Sequence, residues 1–243
     1  MTVDKPTILF TGLDPTNFQS LGKLVHLPAQ CLASNPDGQA AMPGAVERLR
    51  AGAIDCIIFA GKIAVDSFVD AVVGLGGTPD LLRGVRIVAA GVGSDAALQA
   101  RGLHDFAFTP RGGSEDILPR VAKGDRRILV VPGTHAPRDL EPKLIGRGTQ
   151  VSTVALWRLI PNPAPAGPLP AHDVVYFVSP AGVRAFRQAF GDDALQCEIW
   201  CLGEATRAAL GNHSANAKVM VPNVSQSQDA AVKADRNPPP TRC

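Results

Sequence analysis

The chain has 243 residues, of which 45% are hydrophobic and 19% charged, so it is long enough for one or two folded domains with a sizeable core. Its formal net charge of +2 gives no strong field for nucleic acid or an anionic membrane, and no apolar run reaches the roughly 20 residues of a membrane span. Asp4 and Lys5 lie where a secretory signal needs apolar residues, and we therefore expect a cytoplasmic protein.

Short apolar runs alternate with Ala/Leu-rich segments along most of the chain. The runs are rich in Val and Ile and nearly continuous, as in strands buried on both faces of a parallel sheet. They are Thr7–Thr11, Ile54–Ala60, Val85–Ala90, Ile128–Val131, Val174–Val178 and Ile199–Leu202. Apolar residues at helical spacing lie between them, at Val65, Phe68, Val69 and Val72 and at Val183, Phe186 and Phe190. The alternation predicts βαβ units and hence an α/β fold.

The two halves of the sequence resemble each other. Residues 55–68 and 173–186 share their first Asp, a Phe, a Val and their last Phe. Two further blocks match in the same order, Ile8-Leu9 with Ile128-Leu129, and Gly91-x-x-Ser94-x-x-x-Leu98 with Gly203-x-x-Thr206-x-x-x-Leu210. Three matched blocks in one order predict two similar α/β units.

Two proline-rich segments, residues 28–43 and 161–170, are candidate connections between domains, because such stretches stay extended. If both join the same pair of domains, one domain comprises residues 44–160 and the other combines 1–27 with 171–243. A single boundary at 161–170 explains the prolines equally well. Beyond Val224 the chain is polar; we expect a short helix near 227–234 and disorder over the last seven residues.

The sequence lacks the patterns of several common catalytic and cofactor sites. There is no Gly-x-Ser-x-Gly elbow, no HExxH, no complete GxGxxG and no P-loop; Gly91-Val-Gly93 is only a fragment of the dinucleotide pattern. The five cysteines are too few for a disulfide framework, and Cys197 and Cys201 have no histidine at zinc-ligand spacing. Cys56 lies within an apolar run and is expected in the core. We therefore expect neither a metal nor a cofactor.

What remains is a set of loops with Gly and Ser or Thr that follow the predicted strands. In doubly wound sheets such loops lie at the carboxyl ends of the strands, where ligands bind. The loops are Thr11-Gly12, Gly61-Lys62, Gly91 to Ser94, Ser179-Pro180 and Gly203 to Thr206. Ser94 and Thr206 are predicted as helix N-caps. Capping alone explains these residues; the alternative is that amides at helix starts bind anions, which suits a ligand with many carboxylates.

Several stretches, taken in order, resemble the uroporphyrinogen-III synthase family. They cover nearly the whole chain and are Ile8-Leu-Phe-Thr11, Asp55-Cys-Ile-Ile-Phe59, Gly91-x-x-Ser94-x-x-x-Leu98-x-x-x-Gly102, Ser114-Glu-Asp-Ile-Leu118, Arg138-Asp-Leu140-x-x-x-Leu144-x-x-x-Gly148, Asp173-Val-Val-Tyr-Phe-Val-Ser-Pro-Ala-Gly-Val183 and Leu202-Gly203-x-x-Thr206-x-x-x-Leu210. The resemblance implies two similar doubly wound, flavodoxin-like parallel-sheet domains, joined by a two-stranded extended linker and with a cleft between them. It therefore favours the division with two crossings.

The resemblance also implies an activity in heme biosynthesis. The family cyclises hydroxymethylbilane with loss of water and inversion of ring D, without a cofactor. Ring D attacks the methylene left by the lost hydroxyl, and a spiro intermediate fragments and recloses; spontaneous closure gives the type I isomer instead. We expect a monomer that binds hydroxymethylbilane, contacts neither nucleic acid nor membrane, and meets hydroxymethylbilane synthase at most transiently. The implied substrate-binding residues are Thr11, Gly61, Lys62, Ser94, Arg138, Ser179, Gly203 and Thr206.

The chain departs from the family pattern at polar positions. Trp157 stands where the family's candidate for assisting water loss is a tyrosine, and an indole N–H is a very poor acid. Gly12 replaces an arginine, and Ala60-Gly61 replaces a Thr-Ser pair. An alternative is therefore a weak or inactive member that binds a tetrapyrrole or another polycarboxylate. A solute-binding protein of the periplasmic type is a third interpretation, which the absent signal sequence disfavours.

Overall fold

The computed structural model describes residues 5–110, 112–134, 136–163 and 168–222. The helix predicted near 227–234 and the disorder predicted for the last seven residues lie outside the described residues. Within the described part of the chain, no helix has the length and apolar character needed to cross a bilayer.

The strands and helices alternate along the chain. The strands are β1 Thr7–Phe10, β2 Lys23–His26, β3 Gln30–Ser34, β4 Cys56–Ala60, β5 Arg86–Ala90, β6 Ala107–Thr109, β7 Arg127–Pro132, β8 Gln150–Thr153, β9 Trp157–Pro161, β10 Val174–Phe177, β11 Glu198–Cys201 and β12 Ala217–Val219. The α-helices are α1 Pro36–Arg50, α2 Lys62–Gly74, α3 Val92–Ala100, α4 Ser114–Ile117, α5 Leu140–Ile145, α6 Pro180–Phe190 and α7 Glu204–Ala208. Short 3₁₀ helices cover Thr16–Leu21, Pro79–Leu82, Leu118–Arg120, Asp193–Leu195 and Gly211–Asn216.

The chain forms two compact units, each built on one parallel sheet. Unit 1 comprises Met1–Ala33 and Leu159–Cys243, and unit 2 comprises Ser34–Arg158. In the described residues the sheet of unit 1 has five strands in the order β12-β11-β10-β1-β2, and that of unit 2 has five in the order β6-β5-β4-β7-β8. Neighbouring strands are parallel throughout. The predicted α/β fold with two flavodoxin-like parallel sheets is confirmed.

The two sheets repeat one contact at their amino edges. In unit 2 the Asp55 carboxylate accepts from the amide of Arg127, the first residue of β7, at 2.8 Å. In unit 1 the Asp173 carboxylate accepts from the amide of Thr7, the first residue of β1, at 2.8 Å. Both aspartates precede the central strand of their sheet, so the identity noticed in the sequence corresponds to equivalent positions. The Arg127 side chain and its neighbouring backbone amides hold the pKa of Asp55 well below its usual range.

Each sheet is covered on both faces by apolar side chains, which explains the nearly continuous Val/Ile runs. Ile57 and Phe59 of β4 pack with α1 and α2 on one face, while Cys56 and Ile58 pack with α5 on the other. Burial raises the pKa of the Cys56 thiol to about 12, as expected for a core cysteine. In unit 1 the same alternation separates Leu9 from Ile8 and Phe10. Burial on both faces is typical of parallel sheets.

The chain passes from unit 1 to unit 2 in β3 and returns in β9, and these two strands pair with each other. Residues 36–43, which the prolines led us to place in an extended linker, instead begin α1. Pro36 occupies the first helical position, where the missing N–H is not needed. Asn35 attaches this helix start to the return segment, because its side-chain amide donates to the Ala155 carbonyl at 2.8 Å.

Gly38 brings α1 close to the backbone of the same return segment. A Cβ at this position would overlap the carbonyl oxygen of Ala155, so no other residue fits without displacing the helix. The prolines of residues 36–43 led to the prediction of an extended segment. That prediction gave too little weight to the helix-forming residues between those prolines. In the described part of the crossing, the extended strands are Gln30–Ser34 and Trp157–Pro161, and residues 164–167 of the predicted linker lie outside the described residues.

Candidate functional site

The predicted site residues fall into two sets, one at the carboxyl edge of each sheet. In unit 2, Gly61 and Lys62 follow β4, Ser94 follows β5 and Arg138 follows β7. In unit 1 the set consists of Thr11 after β1, Ser179 after β10, and Gly203 and Thr206 after β11. Because ligands of doubly wound sheets bind at the carboxyl ends of strands, both edges are candidate binding surfaces. Trp157 belongs to neither set, since it begins the crossing strand β9.

Ser94 connects the ends of two strands in unit 2. Its side chain is fully buried, and its hydroxyl oxygen accepts from the Gly61 amide at 2.7 Å. The same hydroxyl lies 2.8 Å from the Ala90 carbonyl oxygen and 3.0 Å from that of Phe59, to which it can donate. Ser94 therefore holds the loop after β4 against the start of α3, and its oxygen is already saturated by the protein.

The predicted N-cap role of Ser94 and Thr206 is wrong. Helix α3 is capped by Gly91, whose carbonyl accepts from the Ser94 amide at 3.1 Å. Helix α7 is capped by Gly203, whose carbonyl accepts from the Thr206 amide at 3.0 Å. Each hydroxyl residue is therefore third in its helix and turned inward, with Thr206 only 4% exposed. The capping Gly203 has extended backbone, whereas Gly91 has a φ of +86°, a conformation that favours glycine.

Two helix starts lie side by side at the edge of unit 2. The first amides of a helix have no acceptor within it and carry the positive end of the helix dipole. A Cβ at Gly93, the second residue of α3, would lie 3.5 Å from the backbone nitrogen of Lys62, the first residue of α2. The two starts thus present their amides in one place. With no side chain at Gly93, an anion can approach the backbone closely.

Cationic side chains flank these amides. Lys62 is exposed and makes no ion pair with any described residue. Arg138 is also exposed and without an ion pair to the described residues, directly before α5. The neighbouring Asp139 is occupied, since it binds the Ser114 hydroxyl and the Lys143 ammonium at 2.8 Å each. Those contacts lower the pKa of Asp139. The edge of unit 2 therefore offers two uncompensated positive charges.

Close backbone packing shapes the same edge. A Cβ at Gly133, in the loop after β7, would overlap the carbonyl oxygen of Ala60 at the end of β4. Glycine at this position lets the two loops meet without a side chain between them. The edge of unit 2 is therefore lined mainly by backbone, with the Lys62 ammonium beside it.

The hydroxyl groups of Thr11 and Ser179, at the carboxyl edge of unit 1, form hydrogen bonds within the protein. Thr11 is 3% exposed and donates its hydroxyl to the Tyr176 carbonyl at 2.7 Å. Ser179 caps α6, and its oxygen accepts from the Gly182 amide at 3.1 Å. Pro180, the first residue of α6, has no N–H to offer. Unit 1 thus presents fewer open amides than unit 2.

Neither Trp157 nor Tyr176 has the surroundings of an acid. Trp157 is half-buried and packs against the apolar core of unit 2. Tyr176, the chain's one tyrosine, is fully buried and donates its hydroxyl to the Met220 carbonyl at 2.5 Å. Burial raises the pKa of this phenol further above its ordinary value. A proton donor for chemistry at these edges must therefore come from another residue or from water.

His26 lies at a carboxyl edge but was not among the residues predicted from the sequence. It ends β2, level with Phe10 of the neighbouring strand, and so reaches the carboxyl edge of unit 1. The missed signal was β2 itself, an edge strand of four residues with only partly buried side chains. Without that strand, His26 was one of five scattered histidines.

Comparisons with known proteins agree on one family. The family model described as "Uroporphyrinogen-III synthase HemD" matches residues 20–228. A mutant uroporphyrinogen III synthase from Thermus thermophilus superimposes with a TM-score of 0.59 at 19% identity, covering 94% of this chain and 98% of that one. The enzyme from Helicobacter pylori 26695 gives 0.59 at 16% identity, covering 94% and 99%.

The solved structures bear on the fold, since their sequence identities are low, and no curated protein sequence matches the chain significantly. The family model matches most of the chain. The same family was identified from the ordered stretches of the sequence alone. The chain belongs to the uroporphyrinogen-III synthase family.

Proposed function

We propose that the protein is an active uroporphyrinogen-III synthase, which closes hydroxymethylbilane to uroporphyrinogen III with loss of water and inversion of ring D. The family match over residues 20–228 is the observation that carries the proposal. The two five-stranded sheets of the described chain are the scaffold this reaction uses in the family. Cytoplasmic location, a monomeric state and transient contact with hydroxymethylbilane synthase remain predictions from the sequence.

The backbone-lined edge of unit 2 suits the substrate's chemistry. Hydroxymethylbilane is a flexible chain with many carboxylates, and holding such a chain in one conformation is mainly a matter of anchoring those groups. The adjoining starts of α2 and α3 provide amide donors, and Lys62 and Arg138 provide charge. Charge-assisted bonds of this kind are shorter and stronger than neutral ones. We assign carboxylate binding to this edge.

The protein's main task in this proposal is to select one ring closure. The free substrate closes without inversion, so the enzyme must favour attack by the substituted position of ring D. Positioning of the reacting atoms can lower a barrier by several kcal/mol, about 7–11 in favourable cases. Anchored carboxylates at both ends of the substrate chain would impose that geometry.

A second candidate function is binding without efficient turnover. It is favoured by Trp157, which cannot replace a tyrosine as acid, and by the buried Tyr176. The hydroxyls of Thr11 and Ser179 are also occupied within the protein. In this case the same amides and cationic side chains would bind the carboxylates of a tetrapyrrole or another polycarboxylate.

A coupled assay separates the two functions. Porphobilinogen and hydroxymethylbilane synthase generate the substrate, the protein is added, and the oxidised products are separated into type I and type III isomers. Type III product that depends on the protein supports the synthase. Type I product alone, from protein shown to unfold cooperatively, refutes it, and titration with uroporphyrinogen then tests binding. The variant Lys62→Ala serves as a control, because weakened anchoring should raise KM in the first case and Kd in the second.

A further inference from the structure

One histidine stands at the carboxyl edge of unit 1 with its ring held in place. His26 Nε2 lies 2.8 Å from the carbonyl oxygen of Gly12. A carbonyl oxygen can only accept, so Nε2 carries the hydrogen of this bond. The contact therefore assigns the tautomer of the neutral ring and leaves Nδ1 as its second nitrogen.

The Nδ1 atom is available to a ligand. His26 is exposed, and its ring makes no other hydrogen bond or ion pair with the described residues. Its ring lies 6.0 Å from that of Phe10, which in turn contacts Phe18 at 4.6 Å between ring centroids. The rings of Phe10 and Phe18 thus form an apolar surface beside the imidazole. A charged imidazolium would also carry a hydrogen on Nδ1.

Several of the other described groups at the carboxyl edges are poor proton donors. Tyr176 is buried with its hydroxyl occupied. Glu204 pairs with Arg207 at 2.9 Å, so its carboxylate is already engaged in an ion pair. Lys62 and Arg138 are cations whose side-chain types give up a proton only at high pH. Imidazole is the side chain that most often acts as a general acid.

We propose that His26 is the catalytic acid that assists loss of water from hydroxymethylbilane. This inference rests on the proposed function. The imidazolium gives its Nδ1 proton to the terminal hydroxyl, the carbon–oxygen bond breaks with its electron pair going to oxygen, and water leaves. The remaining methylene is electrophilic and is attacked by ring D. When the macrocycle recloses, the ring carbon that joins loses a proton, which the neutral imidazole takes back.

In this scheme His26 provides the proton donor that is missing at position 157. Trp157 cannot act as an acid, and Gly12 has no side chain, yet the Gly12 carbonyl orients the histidine. A Cβ at Gly12 would come within 2.8 Å of the Phe10 ring, so the small residue also lets the ring pack where it does. Relative to the family pattern, the carboxyl edge of unit 1 therefore lacks an arginine side chain at position 12. It has instead the imidazole of His26 on the neighbouring strand β2.

The test uses His26→Gln, which keeps a donor to Gly12 but cannot donate a proton as an imidazolium does. Its matched control is His104→Gln, an exposed histidine between α3 and β6 at the opposite edge of unit 2. Both are assayed with freshly prepared hydroxymethylbilane, and thermal unfolding is followed in parallel. We expect kcat of His26→Gln to fall about 100-fold or more with KM within about threefold, and the control to match the wild type.

The outcomes are distinct. A folded His26→Gln variant with kcat within about threefold of wild type overturns the acid role, as does a loss confined to KM, which indicates a cation that only binds. If His26→Gln does not fold, His26→Ala decides: partial recovery of kcat with added imidazole supports the proposal, and no recovery overturns it. If the wild type forms only the type I isomer, the proposed function fails and the role of His26 falls with it.

Discussion

Replacing Ser94 with alanine should destabilise unit 2 and disturb its candidate binding edge. The substitution removes a fully buried hydroxyl that accepts from Gly61 and lies within donor range of two strand-end carbonyls. The lost bond is worth about 1 kcal/mol, and the Gly61 amide left without its acceptor costs about 1–2 kcal/mol more. We expect a loss of about 2–3 kcal/mol in the free energy of unfolding. For a unit of this size that corresponds to a fall in Tm of roughly 8–11 °C.

The matched control is Ser67→Ala in the same unit. The Ser67 hydroxyl bonds back to the Ile63 carbonyl within α2 at 2.5 Å, a contact that contributes little because alanine is the better helix former. Urea unfolding followed by circular dichroism compares the two variants, and the coupled assay compares their KM values. If Ser94→Ala lies within about 0.5 kcal/mol of Ser67→Ala, the hydroxyl does not link the two strand ends as described.

Three further predictions concern α1, the amino edge and the binding edge of unit 2. Gly38→Ala should cost about 2–3 kcal/mol through overlap with the Ala155 carbonyl, whereas Gly44→Ala in the same helix, with open space around it, should gain about 0.5–1 kcal/mol; urea midpoints that move together would contradict this. Asp55→Asn should lower the urea midpoint at pH 7, and the difference from wild type should shrink progressively as the pH falls below about 5. A carboxylate with a depressed folded pKa contributes in full only above its unfolded pKa of about 3.9 and loses that contribution as the pH falls toward its folded pKa. Lys62→Ala should raise KM for hydroxymethylbilane about 5- to 20-fold while Lys62→Arg stays near wild type, and equal KM values for both would remove the residue from the site.

The buried central strands were predictable from the sequence, and the edge strands were not. A strand such as Cys56–Ala60 is covered on both faces and so consists of apolar residues only. An edge strand such as Lys23–His26 has partly exposed side chains, and its four residues give no clear period. The crossing was misplaced for a related reason, because Pro36 is compatible both with an extended segment and with the first turn of a helix.

The predicted site residues other than Trp157 follow strands as expected, but their roles were not readable from residue type. A serine after a buried strand can cap a helix, bind a ligand or join two loops, and the sequence does not say where its oxygen points. Ser179 does cap its helix, whereas Ser94 turns inward and holds Gly61. Resemblance to the family predicted the fold, since the fold depends on the order of many blocks and not on any one contact.

The duplication explains which features the two units share and which they do not. Asp55 and Asp173 make the same backbone contact at the amino edges, where each sheet needs its central strands held in register. At the carboxyl edges the units differ: the helix after β4 starts at Lys62, which has a backbone N–H, whereas the equivalent helix in unit 1 starts at Pro180, which has none. If the substrate's carboxylates bind backbone amides, the edge of unit 2 is therefore the better anchoring surface. The proposed acid, His26, lies instead at the end of the edge strand β2 of unit 1.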